Sequence, residues 1–338
     1  MRVGAKFGGV KMGVKMGMIG SCRLCAGELM YAFSAREMML GTRDAFDYLE
    51  CLGCGALQIA APPENLDRYY ADDYYTDRQQ RLGGPPEAIR VLQRAWSRTR
   101  IAGGSFVRFF SGRRYARFDW FRRTDTKLDD AILDVGCGSG RLLLRMARLG
   151  FTQLSGIDPR WSDHDAATPG VRLARQGPED HRGRYRLVMA HHSFEHMLDP
   201  VKSFDAMARL VDQGGHLLLR VPLADSWARH HYGADWVQLD APRHLQIPTR
   251  RSIELLARRV GLRIVHVEDD SGPFQIWGSE LYLGDHPLNA AGRGGRRELS
   301  LWRRLRARWQ ARGLSRAGIG DQASFYLRRD SPRDGHDA

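Results

Sequence analysis

The stretch DAILDVGCGSGRLLLRMARL, residues 130–149, decides the fold class. Asp130 to Asp134 form a short hydrophobic run typical of a buried strand, and Arg141 to Leu149 have the spacing of an amphipathic helix. Between them lie glycines in a Gly-x-Gly-x-Gly spacing, where the backbone passes close to a ligand that any Cβ would block. This order predicts a nucleotide-type cradle. The dinucleotide fingerprint is incomplete, because Arg141 stands where its third glycine would be.

A second strand with a terminal acid follows the helix. Residues Leu154 to Ile157 are strand-like and lead to Asp158, which lies 18 residues after Gly140. A carboxylate at this point can accept hydrogen bonds from both hydroxyls of a ribose. The ordered set of acid, glycines, helix, strand and acid therefore predicts an α/β domain that binds an adenosyl group.

With these motifs the chain resembles the class I S-adenosylmethionine-dependent methyltransferases, and the similarity extends over about residues 20 to 329. The block at 236–245 resembles bacterial members with an N-terminal zinc ribbon. The other segments that carry the resemblance are a fourth strand at Leu187–Ala190, a Glu-His-x-x-Asp-Pro segment at 195–200, Gln213-Gly214-Gly215 before a fifth strand at His216–Val221, a sixth strand at Arg263–Val267 and a closing strand within 320–328.

The resemblance implies an α/β, Rossmann-like fold, in which a seven-stranded, mostly parallel sheet ends in an antiparallel strand. It also implies S-adenosyl-L-methionine as the cofactor. Asp158 should hold the ribose, and Cys137 is interpreted as a small packing residue and not as a nucleophile. The other residues expected at the cofactor are Asp134, Gly136, Gly138 and Gly140 on the methionine side, Gln176 to Asp180 near adenine, and His191 and His192 at the end of the fourth strand.

Four of the five cysteines form two Cys-x-x-Cys pairs, Cys22 with Cys25 and Cys51 with Cys54. Two such turns supply four thiolates for a tetrahedral ion, which predicts a closed, structural Zn²⁺ site without catalytic chemistry. Buried reduced thiols or redox pairs are the alternatives. Glycines close behind the pairs, Gly27 and Gly55, suit the positive φ that such turns need.

The net charge of +13 is concentrated in three segments. Residues 1–20 carry +4, residues 78–123 carry +10 and residues 293–316 carry +8, so the remainder of the chain is acidic. Uniform basicity would have favoured nucleic acid as the substrate. The observed distribution is compatible with a small-molecule enzyme whose arginine-rich helices contact an anionic membrane surface or RNA. No apolar run approaches the roughly 18 residues of a spanning helix.

We predict five parts of the chain. They are a disordered leader (1–20), a zinc ribbon (21–62), a basic helical connector (63–124), a methyltransferase domain (125–329) with an insertion at 269–319, and a disordered tail (330–338). Lysine and glycine interrupt every apolar run of the leader, which is unlike a signal peptide. The cysteines do not form a secreted disulfide framework, and we expect a cytoplasmic protein.

The insertion contains two aromatic segments. Gly272 to Gly284 includes Trp277 and Tyr282 and is predicted to close over the acceptor. Residues 296–316 read as a helix with Leu299, Trp302, Leu305 and Trp309 on one stripe, which we expect to pack on the protein itself, with a bilayer or RNA as the alternative. The aromatic residues of the connector are interpreted in the same way, as a core stripe beneath a solvated basic face.

Methyl transfer requires alignment of the acceptor and, for a hydroxyl or carbon acid, removal of a proton. The candidate bases are His196, His244 and Tyr75, with Glu195 as the residue that orients a histidine. For His196 a capping or packing role is the alternative, and simple proximity catalysis would need no base. The other tyrosines near residue 70 are expected to pack.

Three functions remain open for the protein. The first is methylation of an O or C atom of a small molecule, sugar nucleotide or glycan. The second is RNA methylation, although the Asp/Asn-Pro-Pro-aromatic motif of base-amine enzymes is absent and no cysteine lies beyond Cys137. The third is a non-catalytic cofactor-binding protein, which the intact glycine loop disfavours.

Overall fold

A computed structural model describes residues 20–70, 119–161, 170–288 and 300–330. Residues 1–19 of the predicted leader, residues 71–118 of the connector and residues 331–338 of the tail lie outside the described residues.

Seven strands form the main sheet in the order β10-β11-β8-β7-β4-β5-β6. β4, β5, β6, β7 and β8 are mutually parallel, whereas β11 is antiparallel to both β8 and β10. This arrangement confirms the predicted Rossmann-like fold. The strands are β4 (Ala131–Val135), β5 (Gln153–Ile157), β6 (Val171–Ala174), β7 (Tyr185–His191), β8 (Val211–Pro222), β10 (Leu262–Asp269) and β11 (Gln322–Arg329).

The central strands are hydrophobic because both faces of the sheet are covered, as parallel sheets require. Residues 187–190 of β7 are fully buried, and so are residues 217–219 of β8. The helices that accompany the sheet are α1 (Asp119–Arg123), α2 (Arg141–Arg148), α3 (Pro200–Leu210), α4 (Trp227–Tyr232), α5 (Arg250–Arg259), α6 (Phe274–Leu283) and α7 (Leu301–Arg316). None of the helices in these described ranges is long and apolar enough to cross a bilayer.

A second sheet joins the N-terminal region to the main body. It consists of β1 (Leu29–Arg36), β2 (Ala45–Cys51), β3 (Leu57–Ile59) and β9 (Gln246–Ile247), in that order. β9 comes from the segment after β8 and pairs antiparallel with β3. The loop that carries His244 is therefore fixed against the cysteine-bearing region.

The expectation that the aromatic stripe of α7 packs on the protein is wrong. Trp302 and Trp309 are each 81% exposed and Leu305 is 43% exposed, while Leu299 lies outside the described residues. The helix instead buries Ala307 and Ala311, whose small side chains allow it to approach α6 closely. Trp309 lies about 200° around the helix axis from Ala307, so the two cannot share a face.

Candidate functional site

The glycine loop between β4 and α2 has the backbone shape expected of a cofactor cradle. Gly136, Gly138 and Gly140 all have positive φ, at 74°, 53° and 71°. A Cβ on Gly136 would lie 2.3 Å from Ser193 Cβ, and one on Gly140 would lie 2.8 Å from Leu173 Cδ1. The positive φ would strain any other residue at all three positions, and a side chain on Gly136 would also clash with Ser193.

Asp158, at the carboxyl end of β5, is linked directly to this loop. Its Oδ2 accepts a hydrogen bond from the Gly138 amide at 2.9 Å, and its Oδ1 accepts one from the Arg160 amide at 2.8 Å. Each carboxylate oxygen has a second lone pair, so these bonds leave acceptor capacity for ribose hydroxyls. The carboxylate thus both shapes the loop and retains the chemistry that the sequence predicts for it.

Asp134, at the end of β4, is a buried carboxyl group. Burial, with a further contribution from the charge of Asp158, raises the pKa of Asp134 to about 7. No cation among the described residues opposes this rise. A buried acid with such a pKa fits a positively charged ligand, because a cation would favour its ionised form.

The other residues predicted at the cofactor have varied surroundings. Cys137 Sγ would lie 2.8 Å from a Cβ on Gly156, and burial raises the pKa of the thiol, which agrees with a packing role. The ring of His191 stacks on Trp120 with centroids 4.4 Å apart. Gln176 Nε2 lies 2.5 Å from His181 Nδ1 in the loop after β6.

His192 belongs to a second group of residues, which lies beside the loop. It has a positive φ of 51°, and its Nδ1 donates to Glu195 Oε1 at 3.2 Å. Arg220 donates from Nη1 to His192 Nε2 at 3.0 Å and forms an ion pair with Asp270 at 2.6 Å. This chain of contacts fixes one oxygen of Glu195.

His196 and His244 meet at the same place, although they are 48 positions apart in the sequence. Their ring centroids are 4.7 Å apart, in an edge-on arrangement. Nδ1 of His196 donates to the carbonyl of Arg243 at 2.9 Å, and Nδ1 of His244 donates to the carbonyl of Gln238 at 2.7 Å. These bonds assign the proton of each neutral ring to Nδ1 and leave Nε2 with a lone pair.

The protonation states in this group follow from burial and from neighbouring charges. Burial alone would raise the pKa of Glu195, but the hydrogen bond from His192 and the adjacent imidazoles bring it to about 2. Burial, together with His244, lowers the pKa of His196 to about 4. At neutral pH Glu195 is therefore ionised and His196 is neutral.

A cavity of about 230 Å³ opens on this group. His196, His244 and His192 form its polar side, and Phe274 at the start of α6 forms part of its apolar side. Neither Trp277 nor Tyr282 of the segment Gly272 to Gly284 lines this cavity, and Tyr282 packs against Met38 and Val237. Closure of this segment over an acceptor stays a prediction. The lining residues are Met39, His192, His196, Val237, Gln238, Asp240, His244 and Phe274.

Two contributors to this site were missed by sequence reasoning. The hydroxyl of Tyr70 lies 3.1 Å from His196 Nδ1, whereas the predicted Tyr75 lies outside the described residues. Arg243 is fully buried and forms ion pairs with Asp240 at 2.6 Å and with Glu37 at 2.8 Å. Burial alone would lower the pKa of Arg243, but these carboxylates raise it. The position of Arg243 between Pro242 and His244 in the sequence does not indicate that it pairs with Glu37, some 200 positions away.

The four cysteines lie close together. Sγ of Cys22 is 3.8 Å from Sγ of Cys54, and Sγ of Cys25 is 3.5 Å from Sγ of Cys51. These distances are too long for disulfides and close to the ~3.8 Å between thiolates in a tetrahedral zinc site.

The glycine expectations for this cluster hold for Gly55, whose φ is 73°, but not for Gly27. The left-handed residue after Cys25 is Ala26, and a Cβ on Gly27 would make a tight contact of 3.1 Å with Cys51 Sγ.

Comparisons with known proteins agree with this geometry. A family model described as a methyltransferase domain matches residues 94–267, just over half of the chain. A ubiquinone biosynthesis O-methyltransferase of Sodalis glossinidius is 35% identical over 127 residues, which cover 33% of this chain and 50% of that protein. Its counterpart from Yersinia pestis (strain Pestoides F) is 29% identical over 135 residues, covering 36% and 55%. The chain thus spans about half the length of the curated relatives it matches.

Solved structures include an S-adenosylmethionine-dependent methyltransferase from Mesorhizobium loti, with 16% identity, coverage of 63% and 98% and a TM-score of 0.41. Another is the mycolic acid cyclopropane synthase CmaA1, complexed with SAH and CTAB, with 16% identity, coverage of 65% and 88% and a TM-score of 0.41. Given the match to the family model, together with the strand order and the glycine loop, the chain belongs to the class I S-adenosylmethionine-dependent methyltransferases.

Proposed function

We propose that this enzyme methylates an oxygen atom of a small molecule that carries a hydroxyl group. The observation that carries the proposal is the cavity lined by His196 and His244, with the buried carboxylate of Glu195 within 4.8 Å of both imidazoles. The names of the relatives, which are O-methyltransferases, support oxygen as the methylated atom.

Cofactor binding is assigned to the loop and to its two acids. S-adenosylmethionine, when bound, supplies a methyl group that its sulfonium already activates. Asp134 would face the cationic methionine part, and Asp158 would accept from the ribose hydroxyls. The three glycines, Gly136, Gly138 and Gly140, adopt the positive φ of the loop and have no side chains that would cover this surface.

The acceptor would lie in the cavity with its hydroxyl at the two imidazoles. A hydroxyl must lose its proton as the oxygen attacks, and Nε2 of His196 or His244 carries a lone pair that can receive it. Glu195 would stabilise the resulting positive charge, and Tyr70 would orient His196 through Nδ1. The cavity volume of about 230 Å³ suits a small acceptor or part of a larger one.

Single replacement of His196 or His244 by alanine tests this role. We expect turnover to fall by more than about 100-fold while cofactor affinity is retained, because general-base groups contribute on this scale. His230→Ala is the matched control, since His230 is exposed and outside the cavity. If both variants keep the full rate on the true acceptor, proximity alone accounts for the reaction.

The acceptor class can be identified with labelled S-adenosylmethionine. Separate fractions of small phenols and alcohols, sugar nucleotides, lipid-linked glycans and RNA would be incubated with the enzyme. We expect label in a hydroxyl-bearing small molecule and none in RNA. Label in RNA alone would refute the proposal.

We also propose that residues 21–62 form a zinc ribbon with a structural Zn²⁺ on Cys22, Cys25, Cys51 and Cys54. The support is the clustering of the four sulfur atoms, since four thiolates complete a tetrahedral shell. Purified protein should contain zinc bound to thiolate, and its removal should lower the melting temperature. Cys51→Ser with unchanged metal content and unchanged stability would contradict this assignment.

A further inference from the structure

We propose that Glu195, His196 and His244 form a binding site for one divalent transition-metal cation, distinct from the four-cysteine cluster. The chemical role of this cation rests on the proposed function, but its binding does not. The three residues each offer one ligand atom, and these atoms all lie within 4.8 Å of one another.

The two histidines are prepared as ligands. Each donates its Nδ1 proton to a backbone carbonyl, at 2.9 Å for His196 and 2.7 Å for His244. Histidine ligands of metals nearly always donate the other ring N–H to a carbonyl or carboxylate, which fixes the tautomer and the ring orientation. Nε2 of both rings is therefore the nitrogen left for a cation.

The carboxylate has an unused oxygen. Glu195 is 0% exposed, and among the described residues its Oε2 has no hydrogen-bond partner. Oε1 accepts from His192, which Arg220 and Asp270 hold in place. A buried carboxylate oxygen without a partner is costly, and a coordinated cation would satisfy it.

The buried charges around the site favour a cation of charge two. Glu195, Asp240 and Glu37 are acidic and buried, and Arg243 is the cation that pairs with the last two. The formal charges of these three carboxylates and one guanidinium sum to −2. A divalent cation would neutralise it, which makes burial of the carboxylates less costly.

The ligand atoms would move closer together to bind one cation. Nε2 of His244 lies 3.9 Å from Oε1 of Glu195, and the ligand atoms of the three residues all lie within 4.8 Å of one another. Ligand atoms about 2.1 Å from a tetrahedral metal are roughly 3.4 Å apart, so the ligands would close by at most about 1.4 Å. Two imidazoles and one carboxylate favour zinc, iron, cobalt or nickel over magnesium or calcium, which prefer oxygen alone.

The cavity leaves a coordination position open to the acceptor. In the proposed reaction, the acceptor's O–H bond breaks, its electron pair stays on oxygen, and that oxygen binds the cation. The proton passes to solvent water. The oxygen then forms its bond to the methyl carbon as the carbon–sulfur bond breaks, and S-adenosylhomocysteine leaves. A metal lowers the pKa of a bound hydroxyl by several units, so the cation would replace the imidazoles as the cause of proton loss.

Cobalt binding to the full-length protein tests the site. Metal-free protein would be titrated with Co²⁺, because thiolate ligation gives intense charge-transfer absorption whereas a nitrogen and oxygen site gives weak visible bands. We expect two Co²⁺ per wild-type chain and one, bound to thiolate, for His244→Ala and for Glu195→Gln. His230→Ala should bind two. Retained cofactor affinity would show that the variants are folded.

The outcomes separate this inference from the proposed function. A wild-type chain that binds Co²⁺ only at thiolates, or variants that bind as much as wild type, would overturn the metal site. Full methyl transfer by protein whose second site is empty would also overturn its role. If the second ion binds but no hydroxyl acceptor is methylated, the metal site stands and the proposed function fails.

Discussion

Replacement of Asp134 by asparagine should change two quantities in opposite directions. We expect the cofactor-free protein to become more stable at about pH 8 and its affinity for the cationic cofactor to fall. The side chain is buried, and its surroundings raise its pKa from 3.8 to about 7. Asparagine keeps the shape of the side chain and removes the ionisation. The neighbouring Asp129 is exposed, so Asp129→Asn serves as the matched control.

The sign of the stability effect follows from proton linkage. Because the folded-state pKa lies above the unfolded value, the folded protein binds the proton more tightly, and stability falls as the pH rises from about 4 to about 7. A rise from 3.8 to about 7 corresponds to at most about 4 kcal/mol. Without cofactor, Asp134→Asn should therefore be more stable than wild type at about pH 8 and not at about pH 4.

Cofactor affinity should change in the opposite direction. The ionised carboxylate attracts the cationic methionine part, and a protonated one must first lose its proton. For a pKa of about 7, the wild-type Kd should rise about tenfold between about pH 8 and pH 6. Asp134→Asn should bind weakly, with little dependence on pH over this range.

Two measurements check this prediction: urea unfolding of the cofactor-free protein at both pH values, and calorimetric titration with S-adenosylmethionine across the range. Asp129→Asn should match wild type in both. A variant that is less stable than wild type at about pH 8, or a wild-type affinity that does not change with pH, would refute the assigned role of Asp134.

Three further predictions concern packing. Arg243→Met should destabilise the protein by about 3–5 kcal/mol in urea unfolding, because it leaves two buried carboxylates without their cation; unchanged stability would contradict the ion-pair assignment. Gly136→Ala should abolish measurable cofactor binding, since its Cβ would lie 2.3 Å from that of Ser193, and wild-type affinity would refute this. Trp302→Ala and Trp309→Ala should each change stability by less than about 0.5 kcal/mol, and a larger loss would mean that these exposed rings are packed in solution.

Local motifs were predictable from the sequence because they encode backbone geometry over a few residues. The glycines after β4 and the acid at Asp158 predicted the cradle, and hydrophobic runs predicted the strands to within a few residues. Gly27 and Tyr282 show the limit of such reasoning. Gly27 lies against the sulfur of Cys51, and Tyr282 packs in a cluster with Met38 and Val237. Both neighbourhoods involve distant parts of the chain, so the residue type alone could not reveal them.

The amino-acid sequence by itself determined the methyltransferase fold and the two Cys-x-x-Cys pairs. Only the tertiary structure decided which residues share the acceptor cavity. His196 follows β7 and His244 precedes β9, and hydrogen bonds join the two segments. The Leu245 amide donates to the carbonyl of Glu195 at 2.9 Å, and Gln246 Nε2 donates to the carbonyl of Phe194 at 2.8 Å. Such contacts depend on how separate loops converge at one edge of a sheet. The spacing of residues along the chain carries no information about that convergence.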